Sequence, residues 1–79
     1  MKKKAKVVTH HHHTFLKQAY ALGDNIELFN TNAFKHGQSY VAFNPTHELF
    51  MVWVKRNDGD RAYAGYRTLT EAVFKANTI

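Results

Sequence analysis

Four consecutive histidines, His10, His11, His12 and His13, framed by Thr9 and Thr14, form the densest cluster of chemistry-bearing side chains in this 79-residue chain. Neutral imidazoles take zinc, nickel or copper, and two of them at i, i+3 spacing on a helix could share one ion. Ligands drawn from a single run lack the supporting hydrogen bonds that hold a built metal site, so the tract is expected to be at most an adventitious chelator. No metal and no cofactor is expected. The carboxylates Asp24, Glu27, Glu48, Asp58, Asp60 and Glu71 are scattered, and Asp58 and Asp60 straddle Gly59 where hairpin geometry already accounts for them. His36 and His47 lie beside turns. His47 with Lys55 or Arg56 is an arrangement that could serve a metal-independent nuclease. There is no serine arrangement for nucleophilic attack, no phosphate-cradling glycine loop and no cysteine. The expectation is a protein that is not an enzyme.

Basic residues are the next candidates. The formal net charge is +5, from eleven Lys and Arg against six acidic residues. Lys2, Lys3, Lys4 and Lys6 supply four of those eleven, which leaves seven against six and a body charge of +1. Residues 1–13 therefore read as a basic, His-rich flexible tail, and 14–79 as a single α+β domain. Such a tail could track phosphates or an acidic protein surface with salt-dependent affinity, or simply aid solubility. A second basic group, Lys55, Arg56, Arg61 and Arg67, flanks one hairpin turn and could form a basic end to a sheet.

The elements that must carry these residues follow from periodicity. Phe15, Ala19 and Leu22 recur at i, i+4 and i+7, flanked by Leu16 and Tyr20, with Lys17 and Gln18 turned outward, and Gly23 stops the helix. Residues 25–29 read as a short strand with Ile26 and Leu28 on one face and Glu27 and Phe29 on the other. Thr31–Asn32 and Lys35–His36–Gly37 read as turns. Strands are then expected over 39–44, 47–56 and 61–67, separated by turns at Asn44–Pro45–Thr46 and at Asn57–Asp58–Gly59–Asp60. The middle run is apolar on both faces: Leu49, Met51 and Trp53 point one way, and Phe50, Val52 and Val54 the other, so it should be covered on both sides. Thr68–Leu69–Thr70–Glu71 has the spacing of a capping box, followed by a Leu69, Ala72, Val73, Ala76 stripe with Phe74 off it, as a rim or contact residue.

The order of these elements, and the run Arg61–Ala–Tyr63–Ala–Gly65–Tyr66–Arg67–Thr68–Leu–Thr–Glu71–Ala72 in particular, resembles the AP2 and phage-integrase amino-terminal DNA-binding fold over residues 38–77. That resemblance implies a three-stranded antiparallel sheet plus helix whose open face lies in the DNA major groove. The matching contact positions would be Trp53, Lys55, Arg56, Arg61, Tyr63 and Arg67. Set against it is the apolar second face of the middle strand. Either the amino-terminal helix covers that face or an edge, or the face is an exposed patch for a partner.

The fold class expected is therefore α+β: a small antiparallel meander of three to four strands packed by a C-terminal helix. At this length most apolar residues are needed for the core, so binding is expected rather than a roomy active site. The longest apolar run, Leu49–Val54, is far too short to cross a membrane, no signal-peptide pattern follows the lysines, and a cytoplasmic location is expected. The first functional expectation is a small modulator or inhibitor of a host protein complex, of the kind phages and mobile elements encode. The second is a sequence-tolerant DNA- or RNA-binding protein, and the third a module that self-associates, for instance as a homodimer. Contact residues would come from Lys2, Lys3, Lys4, Lys6, Lys55, Arg56, Arg61, Arg67, Tyr63 and Phe74.

Overall fold

The computed structural model describes residues 4–30 and 34–79. Five strands and two helices follow one another as β1 (Ala5–Val8), α1 (His13–Leu22), β2 (Ile26–Phe29), β3 (Ser39–Asn44), β4 (Leu49–Val54), β5 (Arg61–Tyr66) and α2 (Leu69–Thr78). They form one sheet in the order β2-β1-β3-β4-β5. β3, β4 and β5 make the expected antiparallel meander, whereas β1 runs parallel to both β2 and β3. The fold is thus α+β, with a sheet larger than the meander and mixed in sense.

The enlargement comes from the segment read as a tail. Ala5 to Val8 pair with Ile26 to Phe29, and Val7 pairs with Val41. Ala5 and Val7 are buried. Alternation over four residues, with Ala5 and Val7 inward and Lys6 and Val8 outward, is enough for a strand once both neighbours exist; read locally, the charge of Lys6 and the lysines before it masks it. The tail boundary at residue 13 is therefore wrong: the described chain enters the sheet at Ala5.

Both helices lie on one face. Phe15 and Ala19 of α1 share a single core with Leu69, Ala72, Val73 and Ala76 of α2 and with Val41, Phe43, Phe50 and Val52 of the sheet. Phe15, Phe43 and Phe50 pack ring against ring at 4.9–6.3 Å between centroids. An amino-terminal helix covering the opposite face is not what forms, because α1 links two parallel strands, β1 and β2, and packs with the same core side chains as α2. Gln18, expected to face water, instead accepts the Leu69 N–H at 2.6 Å and so ties the helices together.

Local signals place the ends. Gly23 ends α1 at φ 55°, its N–H donating to the Ala19 carbonyl. His12 caps the start, its Nδ1 accepting the Thr14 N–H at 3.2 Å. Thr68 caps α2: its hydroxyl donates to the Glu71 carboxylate at 2.9 Å and accepts the Glu71 N–H at 3.4 Å. The first amide of α2 is met by Gln18 from the other helix, a tertiary contribution that no capping pattern announces. Gly59 takes φ 120° in the β4–β5 turn, as its neighbours predict.

Candidate binding surface

With both helices on one side, the other face of the sheet is sheltered, among the described residues, by side chains and not by a helix or strand. Lys6 and Val8 of β1, Glu27 and Phe29 of β2, Tyr40, Ala42 and Asn44 of β3, and Leu49, Met51 and Trp53 of β4 lie on it by register. Over the β2 half, Phe34 comes down from the β2–β3 connection, stacking on Tyr40 at 4.4 Å and meeting Phe29 at 5.2 Å. Lys6 sits 5.6 Å above the Phe29 ring and 3.4 Å from Glu27. Over the β3–β5 half, among the described residues, no helix or strand lies across Ala42, Leu49, Met51 and Trp53, and these remain half-buried. Full cover of the middle strand on both sides is thus met on the helix side alone.

β5 departs from simple alternation. Val52 pairs with Ala64 and Trp53 with Ala62, leaving Tyr63 as the extra residue of a bulge. Arg61 and Gly65, which period two would put together, consequently face opposite sides: Arg61 pairs with Val54 on the helix side and Gly65 with Met51 on the open side. The glycine has a packing reason, since a Cβ there would stand 2.7 Å from the Met51 sulfur. Tyr63 is half exposed.

The basic residues do not converge. Lys55 and Arg56 follow β4 and Arg61 opens β5 at the same hairpin, but Arg67 follows β5 at the far end, roughly 20 Å away at about 3.3 Å per residue. One basic sheet end therefore does not form from all four. Lys55 is 3.5 Å from Asp60, whose carboxylate also accepts the Tyr40 hydroxyl. The Tyr40 hydrogen bond holds the Asp60 carboxyl below its usual range, with the Lys55 charge adding to it. Burial, then the same carboxylate, pushes the Tyr40 phenol well above its ordinary value. This trio locks the β4–β5 turn onto β3. Lys4 is exposed before β1, Lys6 stands on the open face, and Lys2 and Lys3 lie outside the described residues, as do Thr31 and Asn32.

The histidines divide by alternation. His10 and His12 turn inward against Phe43, at 5.3 and 5.2 Å, and the His10 Nδ1 accepts the His12 N–H. His11 and His13 face outward. With the Nδ1 atoms of His10 and His12 engaged as backbone acceptors, the tract acts as a helix-starting element. Among the described residues no group of three or more His, Cys, Asp or Glu gathers to hold a metal ion. His47 lies in the β3–β4 turn, at the opposite end of β4 from Lys55 and Arg56, so the nuclease arrangement is not assembled.

One feature is visible only in three dimensions. Five strands at about 4.8 Å spacing make a sheet roughly 24 Å wide, and two helices about 10 Å across roof roughly 20 Å of it. The helix-side residues of the outer strands stay partly uncovered: Leu28 on β2 is 53% exposed and Tyr66 on β5 is half-buried. Beside Tyr66, a groove of about 500 Å³ runs between β5 and α2, lined by Tyr66, Thr70, Glu71, Phe74, Lys75 and Thr78. Phe74 is 72% exposed there; its place off the helical stripe was the sole sequence signal of this groove.

Among the described residues no helix is long and apolar enough to cross a membrane. Comparison of the chain with family models, with curated proteins and with solved structures returns no match.

Proposed function

We propose that this chain is a small non-enzymatic binding protein whose ligand is another protein, met through the uncovered β3–β5 half of the sheet. The observation that carries the reading is the row Leu49, Met51 and Trp53, bordered by Ala42, Gly65 and the half-exposed Tyr63, with no described helix or strand over it. A 79-residue chain has few apolar side chains to spare, so an aromatic and aliphatic row left outside the core favours association. A groove-reading sheet would need polar and basic side chains on that face to reach base edges and phosphates. Here Arg61 opens β5 and is turned to the helix side, and Arg67 follows the strand at its far end. Modulation or inhibition of the partner is the activity such a surface can exert without chemistry of its own.

The test is capture from nuclease-treated lysate of the expressing cells, comparing the native chain with Tyr63→Asp and Met51→Glu, each checked for folding by thermal melting. A protein band that survives nuclease and moderate salt, and is lost with both variants, is expected. Retention that vanishes with nuclease, falls steeply with salt and follows Lys55→Ala with Arg56→Ala would assign the chain to nucleic acid instead.

A further inference from the structure

We infer that the outer edge of β5, together with the groove between β5 and α2, receives an extended acidic segment of the partner protein, which adds to the sheet as a sixth strand. The inference rests on the protein-binding reading above and supplies its mode and chemistry. β5 is the last strand in the sheet order, so among the described residues the backbone groups on its outer side have no strand to pair with. A strand laid there sends alternate side chains to the two faces. One row enters the groove against Tyr66 and Phe74; the other lies along the open face beside Tyr63 and Met51. Main-chain hydrogen bonds then provide affinity, and the groove selects the side chains. The bulge at Tyr63 interrupts the regular spacing of the edge, so pairing runs along Ala64–Arg67.

Charge decides the occupant. Arg61 and Arg67 are exposed at the two ends of β5, and Lys75 lines the groove; Glu71, the one acid there, is hydrogen-bonded by the Thr68 hydroxyl. A segment with Asp or Glu flanking its apolar residues meets Arg67 at one end of the paired stretch and, past the bulge, Arg61 at the other. A second copy would bring its own Arg61, Arg67 and Lys75 to the same edge, and gathering six cations there opposes self-pairing.

Selection of a random decapeptide display library on the full-length chain tests this. Enriched sequences should alternate apolar with acidic residues, shift amide resonances of β5 and α2, and lose tenfold or more in affinity on Phe74→Asp and on Arg61→Glu with Arg67→Glu. All three substituted side chains are exposed, so the variants should melt like the native chain. No enrichment, enrichment of basic peptides, or affinity indifferent to both sets of variants would overturn the inference. Partner capture that is lost with Tyr63→Asp yet unchanged in Phe74→Asp would also sink strand addition while leaving the protein-binding reading in place.

Discussion

At the scale of single residues, the side chains that do most are those whose polar atoms reach between elements. Tyr40, only 3% exposed, spends its hydroxyl on Asp60. The folded carboxyl titrates below its unfolded value, so this contribution to stability is present above about pH 4 and is lost as pH falls through the folded pKa. The phenol titrates above its unfolded value, so its share is present below about pH 10 and is lost as pH rises through the folded pKa. Urea midpoints measured from pH 2 to 11 should therefore fall at both ends for the native chain, and Tyr40→Phe should flatten both limbs. Gln18 is the second case. Gln18→Ala leaves the first amide of α2 without its partner and should cost about 1 kcal/mol, read as a lower urea midpoint with unchanged slope. Periodicity assigned Gln18 to the solvent side, because an amide reaching another helix leaves no mark on its own.

At the scale of elements, β1 is the decisive one. It is four residues long, yet it lies between β2 and β3 and buries Ala5 and Val7. Removal of residues 1–8 should abolish the cooperative unfolding transition, since β2 would lose its strand partner and β3 one of its two. Val7→Asp, which puts a charge at a fully buried position, should do the same; a truncated chain with native-like circular dichroism and a sharp melt would contradict the assignment. The meander and α2 were legible beforehand because their signals are local: Pro45 and Gly59 at the corners, Thr68 with Glu71 at the cap, and a stripe of small residues that lets α2 approach the sheet. β1 was not, since a short strand flanked by lysines and histidines is specified by its neighbours rather than by itself.

At the scale of the whole molecule, two ten-residue helices on one side of five strands leave, among the described residues, an open face, two unpaired edges and a groove beside each outer strand. The radius of gyration, 11.5 Å, matches the roughly 11.6 Å expected of one compact unit of this length. With arginines at both ends of the β5 edge, the chain should scatter light as a single copy at micromolar concentration. A mass of two chains that persists in high salt would show that the edge pairs with itself. The sequence by itself determined the α+β class, the order β3, β4, β5, α2, the turns and caps, and the two-sided apolar character of β4, because each is written in neighbouring residues. Tertiary structure alone decided that Ala5–Val8 is an inner strand, that both helices share one face, that Tyr63 is the bulge which turns Arg61 away from Gly65, and that Phe74 borders a groove. Each of those depends on which distant strands pair and on how wide a sheet two helices can roof, and neither quantity is encoded in local spacing.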